Sequence, residues 1–394
     1  MKQKFLLVSL VLLGILVGCK NNGGGGGGGE VTPGKEEALQ KAVTPYVNNT
    51  VVSTYSAMAD AGIALVEQCE QIVEKVEAGQ DYSALIAEAD ASWRLMRKHW
   101  EQSEAFLYGP AGDHNIDPHI DSWPLDFNQM NSLLSDPVRM KQIEEDGGAY
   151  VGSVLGYALK GFHAAEYLLF ESVIKDGRAV GTGKPHTANL THAEAIYLLG
   201  IVEDLEQQAI LLEYCWAGEV SDAKAKILED AEIEPYEDEF GWQMINAGKA
   251  GSRFKTYQDV AEEIVAGAID IAGEVADLKL GNPYISSTAE ERDYIESPYS
   301  CTSTTDFADN IISIKNAYCG AKAGDASVSD YVKQQNEDLD NRVRKAIDES
   351  ITAIQAIVDF ENTAKGNPQV KAAIDKVSGL EDILDKDVLP LLSK

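Results

Sequence analysis

The sequence predicts an all-α protein made of two related antiparallel helical bundles that pack against each other. Apolar residues recur every three or four positions in three long stretches, 52–76, 260–278 and 339–358. That spacing is the period of one face of a helix. Strictly alternating patterns, which would predict strands, are scarce. Long periodic segments with short breaks are typical of bundles.

The first 18 residues have the pattern of a secretory signal peptide. Lys2 and Lys4 precede an apolar run at 5–17, which is shorter than the roughly 20 residues of a membrane-spanning helix. The sequence LVGC that ends at Cys19 is similar to a bacterial lipobox, in which the cysteine becomes the lipidated first residue. We therefore expect a lipid anchor on Cys19 and a location in the cell envelope, either periplasmic or at the cell surface.

Residues 19–36 are predicted to be a flexible tether, because seven consecutive glycines lose too much backbone entropy on ordering to form a core. An N-terminal bundle is expected at 37–230 and a C-terminal bundle at 231–394. The stretch 221–251 between them is acidic and aromatic without a helical period. Each half also has a polar helix that ends with an aromatic residue close to a glycine, which favours two related units.

The formal net charge is −31. Such a protein repels phosphate backbones, so nucleic acid is not an expected partner. A field of this sign attracts cations, but acidic secreted proteins are common, so the charge permits metal uptake without establishing it.

Four cysteines remain besides Cys19. The cell envelope is oxidising, and the stretch between Cys301 and Cys319 could fold back, so these two are a possible disulfide. Cys69 lies on an apolar helical stripe and is predicted to be a core thiol. The chain has no Cys-x-x-Cys motif, which argues against thiol redox chemistry and zinc–thiolate binding.

His163 and Glu166 are the polar pair of an otherwise apolar, helix-like stretch at 152–170. Residues three positions apart are neighbours on a helix, and Gly152 and Gly156 would share their face and let a ligand approach. An imidazole and a carboxylate suit a transition metal such as iron or zinc. The alternative is a buried His–Glu hydrogen bond that only stabilises the helix.

Two further segments carry candidate residues in the first half. Arg97, Glu101 and Glu104 share a helical arc with two tryptophans, and a face covered in this way must provide partners for its charges. These residues form either an internal network or part of a site. Asp121 begins the corner Asp-Ser-Trp-Pro, where a tryptophan before proline predicts a packed turn. The histidines and aspartates just before it, at 114–119, favour a solvated loop.

In the second half, an extended turn at 296–300 leads into a predicted helix. It could bind an anion or complete a metal shell, or simply cap the helix. The candidate residues are Ser297, Tyr299, Ser300, Asp306 and Asn310.

These segments together resemble the imelysin-like family of bacterial envelope proteins, also called insulin-cleaving membrane proteases. The family signature Gly-x-His-x-x-Glu is present at 161–166, between segments similar to the family's Trp/Arg/Glu helix, its DSWP corner and its ESPYS turn. The resemblance implies two related bundles with His163 and Glu166 near their interface as metal ligands. It also implies that the other candidates named above form the walls of a ligand site.

We therefore expect a lipid-anchored envelope protein that binds iron, haem or a related small ligand as part of uptake, together with envelope transport components. Iron or zinc is the expected metal. One alternative is a metal-dependent peptidase of the imelysin type, although the chain lacks the His-Glu-x-x-His motif and offers no evident general base. A second alternative is a structural or adhesive surface protein, in which the polar residues serve the bundle interface.

Overall fold

A computed structural model describes residues 33–175, 178–186, 190–286 and 294–394. The expected signal peptide, Cys19 and the glycine run lie outside the described residues. Pro33–Lys394 form one compact unit, and nearly all of its regular structure is helical. The all-α prediction is confirmed, whereas the division into two bundles near residue 230 stays a prediction. No helix within the described ranges is both long and apolar enough to cross a bilayer.

The first half contains ten helices in the ranges that the structure describes. They are α1 (Pro33–Pro45), α2 (Ser53–Glu77), α3 (Ser83–Glu101), α4 (Pro110–Asp113), α5 (Ile116–Ile120), α6 (Phe127–Leu134), α7 (Pro137–Val154), α8 (Gly161–Leu169), α9 (His192–Ala217) and α10 (Asp222–Asp230). Helix α9 begins with a capping box between Thr191 and Glu194, which satisfies its first backbone N–H groups. It is buried on most of its surface and packs against α2 and α7, so it is a central helix of the fold.

The predicted continuous helix over 152–170 is wrong. Helix α7 ends at Val154, a 3₁₀ turn follows at Tyr157–Leu159, and α8 begins only at Gly161. Gly152 and Gly156 therefore do not share a helix face with His163. Glycine disfavours a helix interior, and Leu155 and Lys160 adopt extended backbone angles between the two helices.

A two-stranded antiparallel hairpin follows α8 directly. Strand β1 (Phe170–Lys175) pairs with β2 (Arg178–Pro185). Gly181 of β2 lies so close to the turn at 298–299 that an added Cβ would be 2.2 Å from the Cα of Tyr299. The hairpin therefore packs against the segment that leads into the next long helix.

The second half is also helical. The helices that the structure describes there are α11 (Phe240–Ile245), α12 (Tyr257–Glu274), α13 (Gly281–Ile285), α14 (Ser303–Cys319), α15 (Val328–Gln335), α16 (Glu337–Gln355), α17 (Phe360–Thr363), α18 (Pro368–Ile383) and α19 (Leu389–Leu392). In the described part of the chain, π-helical turns join neighbouring helices without a break at Tyr46–Val52, Val275–Leu280 and Leu384–Val388. The predicted apolar stripes face the core at residues such as Tyr55, Ile264 and Ile347, which are almost fully buried. The prediction is wrong at the ends of two stripes, where Leu278 and Val358 are exposed.

The possible disulfide between Cys301 and Cys319 is wrong. Both cysteines are free thiols. The intervening chain does not fold back, since α14 runs from Ser303 to Cys319 as a single helix of 17 residues. Such a helix is about 25 Å long, whereas a disulfide needs Cα atoms within about 7 Å. Cys69 is buried in the core, as predicted.

Candidate functional site

The glycine of the Gly-x-His-x-x-Glu segment brings α8 against the end of α5. Gly161 has a φ of 79°, and a Cβ added there would lie 2.2 Å from the carbonyl oxygen of Ile120. Only glycine accepts both the left-handed backbone and this close approach. As a result, His163 in the first turns of α8 lies next to Asp121, the residue that follows α5.

The imidazole of His163 is buried between two carboxylates. Its Nε2 lies 3.0 Å from Oδ1 of Asp121, and its Nδ1 lies 3.3 Å from Oε2 of Glu166. Burial acts to lower the pKa of His163, but the hydrogen bonds to both carboxylates outweigh it and raise the pKa to about 9. The indole of Trp123 packs against the ring edge-on, with 6.0 Å between centroids. The ring is therefore held in one orientation.

Glu166 connects α8 to the turn of the second half. Its Oε1 accepts hydrogen bonds from the backbone N–H groups of Tyr299 and Ser300, at 3.0 and 2.8 Å, and from the Ser300 hydroxyl at 2.6 Å. Its other oxygen contacts His163. With both oxygens engaged, Glu166 is placed to orient the imidazole rather than to offer a free oxygen to a ligand.

Arg97 of α3 lies at the centre of the surrounding charges. Its guanidinium nitrogens lie 2.5 Å from Asp121, 2.6 Å from Glu101 and 2.6 Å from Glu296. The second oxygen of Asp121 accepts a hydrogen bond from the indole N–H of Trp100, at 2.7 Å. Burial acts to raise the pKa of Asp121, but Arg97 and His163 hold it well below its usual range. The predicted covered face of α3 is confirmed for Arg97 and Glu101, whereas Glu104 lies beyond the end of α3, in a 3₁₀ turn at Glu104–Phe106.

Lys279 enters from the π-helical turn between α12 and α13. Its Nζ lies 3.4 Å from Oε1 of Glu296, 3.5 Å from Oε1 of Glu104 and 3.8 Å from Oε2 of Glu101. The extra residue of a π turn shifts the direction of side chains, and such turns are frequent at functional sites. This lysine lies at the end of an apolar stripe in the sequence, and no motif there predicted that it would be part of a site.

The start of α14 completes the arrangement. The Ser297 hydroxyl donates to Oδ2 of Asp306 at 2.5 Å, and the side-chain amide of Asn310 donates to Oε2 of Glu101 at 2.5 Å. Asp306 and Asn310 are one helical turn apart and face the same way, as the sequence predicted. They attach α14 to the α3 side of the site.

We call the nine ionisable side chains at the centre of this region the charge network. It comprises six carboxylates and three groups that can be positive, none more than 8% exposed. Its members are Glu101, Glu104, Asp121, Glu166, Glu296, Asp306, Arg97, Lys279 and His163. Burial raises the pKa of Glu101 and of Asp306 to about 7 and that of Glu104 well above its usual range. The carboxylates thus exceed their positive partners, and the excess must be neutralised by protons or by another cation.

All the metal and ligand residues predicted from the sequence lie in or beside this network, but some of them contribute in a way that was not predicted. Tyr299 contributes its backbone N–H, while its ring packs on Tyr167 and Phe127. Sequence reasoning grouped Glu296 with this turn without selecting it as a site residue, and it missed Lys279 altogether. Glu296 begins the ESPYS turn, so its position beside Ser297 was an available signal.

The residues at 114–119 are not the solvated loop that the sequence favoured. They lie on or beside the short helices α4 and α5, and two histidines there have distant partners. His119 contacts Asp204 of α9 at 2.8 Å, and His114 contacts Asp238 at 2.5 Å. Neither histidine belongs to the charge network.

Two groups of three side chains in the network could hold a metal ion. The ligand atoms of Asp121, His163 and Glu296 lie within 4.8 Å of one another, and so do those of Glu101, Glu104 and Asp121. Nearby, the buried Nε1 of Trp123 and Oδ1 of Asn310 have no hydrogen-bond partner among the described residues. An imidazole with two carboxylates is a donor set that suits iron or zinc.

Comparison with known proteins supports the family resemblance. A sequence profile described as Imelysin, peptidase M75, matches residues 51–386. The chain belongs to the imelysin family. It is 26% identical over 368 residues to iron-regulated protein A of Synechococcus elongatus, a match that covers 91% of this chain and 89% of that protein.

Solved structures of imelysin-like proteins share the fold. A protein from Parabacteroides distasonis, described as an iron-regulated protein A precursor, matches with a TM-score of 0.71 and 25% identity, over 91% of this chain and 96% of that one. An imelysin-like protein from Psychrobacter arcticum matches with a TM-score of 0.60 and 12% identity over the same shares. The predicted family and helical fold are thereby confirmed.

Proposed function

We propose that this imelysin-family protein binds a transition-metal ion, iron in its natural setting, within the charge network and thereby serves iron uptake at the cell envelope. The observation that carries this proposal is the excess of buried carboxylates over positive partners. A metal ion supplies the missing positive charge in the place of protons. Asp121, His163 and Glu296 are the residues that would hold it.

The side chains around these three are suited to supporting a metal. Glu166 contacts Nδ1 of His163, which leaves Nε2 as the ligand atom, and such a carboxylate behind a histidine is the usual outer-shell partner of a metal-binding imidazole. Arg97 and Lys279 hold Glu296 from two sides. Binding would release the proton from His163, so affinity for the metal is expected to rise with pH.

Packing favours an ion over haem. Within the network, neighbouring side chains contact one another at hydrogen-bond distance. Two cavities in the described chain, of about 400 and 250 Å³, lie away from it. One is lined by residues such as Tyr214 and Pro235, and the other by residues such as Val73 and Glu203. A bare ion needs only small side-chain shifts, whereas haem would have to displace the network.

The names of the relatives favour iron over other metals. Both the protein from Synechococcus elongatus and the structure from Parabacteroides distasonis are called iron-regulated protein A. Regulation by iron is expected of a protein that acquires it. The family description as a peptidase supports the alternative of proteolysis, but the buried network offers a polypeptide chain no access to a metal-bound water.

Metal titration of the purified protein tests the proposal. We expect saturable binding of Fe²⁺ under anaerobic conditions that weakens at least tenfold in His163→Ala and in Glu296→Gln. His99→Ala is the matched control, since His99 lies on α3 near the site but belongs to none of the groups of possible metal ligands among the described residues. Unchanged affinity in both site variants would contradict the proposal. A loss of thermal stability in a protein that binds no metal would favour the structural alternative.

We also propose that a lipid on Cys19 anchors the protein to the membrane of the envelope. In cells that process lipoproteins, the wild-type chain should fractionate with membranes, and Cys19→Ala should move it to the soluble fraction. Membrane association that persists in Cys19→Ala would contradict the anchor.

A further inference from the structure

A second group of potential ligands lies outside the charge network. Cys215 is near the end of α9, His114 follows α4, and Asp238 lies between α10 and α11. Nε2 of His114 is 2.5 Å from Oδ2 of Asp238. One ligand atom from each of these three residues lies within 4.8 Å of the other two. We call this group the Cys215 cluster.

The thiol of Cys215 has weak partners in its present surroundings. It is fully buried, and the backbone oxygen of Tyr236 is 4.0 Å from its sulfur. Burial, together with the carboxylate of Asp238, raises the pKa of this thiol to about 12. Such a thiol is inert as a nucleophile at neutral pH, so a cysteine–histidine catalytic pair is not what this geometry provides.

The other two side chains are positioned by their neighbours. The His114 imidazole stacks on the ring of Tyr236, with centroids 3.6 Å apart and planes within 3°. The side-chain amide of Gln243 donates to the backbone oxygen of Asp238 at 2.8 Å. The side chains of His114 and Asp238 are 20% and 25% exposed, so an ion in solution can reach the cluster.

We propose that Cys215, His114 and Asp238 form a second metal site for a borderline divalent ion, with Zn²⁺ as the best fit. Sulfur, nitrogen and carboxylate oxygen are the three donor types that zinc accepts. At zinc bond lengths the ligand atoms of a tetrahedral site are about 3.3 to 3.8 Å apart, which the cluster reaches by small shifts. Water takes the fourth position. Binding displaces the thiol proton to solvent, and the resulting thiolate becomes a ligand of the ion.

The site would connect three segments that are distant in sequence. It joins the end of the central helix α9, the chain after α4, and the 231–239 segment that leads to α11. A bound ion stabilises the folded state in which its ligands meet. We therefore assign the Cys215 cluster a stabilising role that is separate from the proposed binding of iron by the charge network.

Cobalt titration of the full chain tests this site directly. Co²⁺ is a spectroscopic substitute for zinc, and a thiolate ligand gives a sulfur-to-cobalt charge-transfer absorption. We expect this band to reach saturation in the wild-type protein, and we expect added zinc to abolish it by displacing the cobalt. It should be absent in Cys215→Ser but retained in Cys69→Ser, the control for a buried core thiol. The band should also persist in His163→Ala, because the charge network contains no cysteine, so the test is independent of the proposed function.

Two outcomes would overturn the proposal: no such band in the wild-type protein, or a band that survives in Cys215→Ser. If Cys215→Ser does not fold, His114→Gln and Asp238→Asn provide the test, since both side chains are partly exposed. Their affinity for Co²⁺ should fall at least tenfold. Affinity unchanged in both variants would equally overturn the site.

Discussion

The charge network differs from a second buried polar group among the C-terminal helices. There, Asp340 of α16 is 1% exposed and accepts hydrogen bonds from Tyr318 at 3.2 Å, from Arg344 at 2.9 Å and from the Ser329 hydroxyl. We call these four residues the Asp340 network. It holds one carboxylate and one guanidinium, so its charges balance.

The difference shows which feature of buried polarity points to function. Both networks are hydrogen-bonded and contain buried carboxylates, although the Asp340 network joins the consecutive helices α14, α15 and α16 and its Arg344 side chain is 44% exposed. Only the charge network contains carboxylates in excess, some with a raised pKa. A balanced network needs nothing further to be stable, whereas an excess of buried charge creates a demand for protons or a metal.

The largest expected effect on stability comes from removing the guanidinium at the centre of the charge network. Arg97→Met leaves Glu101, Asp121 and Glu296 without their main positive partner, and breaking a buried pair in this way costs about 3 to 5 kcal/mol. We expect the free energy of unfolding to fall by that amount at pH 8 and by less at pH 5, where protons can neutralise the carboxylates. Chemical denaturation at both pH values measures this. Arg344→Met, at a side chain 44% exposed, is the control, and equal losses in the two variants would remove the distinction between the networks.

The next effect is on the pH dependence of stability. The pKa of Asp306 is raised from 3.8 to about 7 by burial, so the folded state holds this proton more tightly than the unfolded state does. Its contribution is fully present below pH 4 and is lost as the pH rises through 7. Asp306→Asn should therefore lose less stability between pH 4 and 8 than the wild type, by on the order of 4 kcal/mol. Denaturation curves across this range, with the exposed Asp375→Asn as control, provide the measurement. Parallel curves for wild type and Asp306→Asn would show that Asp306 is not held protonated.

A smaller effect is expected in the balanced network. Asp340→Asn keeps an acceptor for Tyr318 and Ser329, and the partly exposed Arg344 can turn to solvent. We expect a loss of about 1 to 2 kcal/mol in the free energy of unfolding and no change in metal affinity. If Asp340→Asn bound metal more weakly, the Asp340 network would contribute to metal binding although its charges balance, and the distinction between the two networks would fail.

The smallest effect is expected at the surface. Lys226 and Asp230 form an ion pair one helical turn apart, with side chains 68% and 62% exposed. Lys226→Ala should change the free energy of unfolding by less than about 0.5 kcal/mol, as thermal denaturation would show. A loss comparable to that of Arg97→Met would contradict the importance that we assign to burial.

Much of the site was predictable because its residues belong to local motifs. The helical period of α3 correctly predicted the buried face of Arg97 and Glu101, and the spacing of His163 and Glu166 correctly made them neighbours. Predictions from local pattern failed where glycines and tertiary contacts determine the conformation of the backbone. The helix over 152–170 is interrupted before Gly161, and the chain from Cys301 to Cys319 continues into a helix instead of folding back.

The sequence by itself determined the helical class, the family and the types of residue that carry charge into the core, because periodicity and short motifs are local properties. Only the tertiary structure decided that Glu296 and Lys279 join Arg97, and that Glu166 supports His163. It also decided that the carboxylates exceed their partners. Charge balance depends on distances between residues nearly 200 positions apart in the chain, as for Arg97 and Glu296 at 2.6 Å. No local pattern encodes such a distance, since it results from the packing of α3 against α8 and α14.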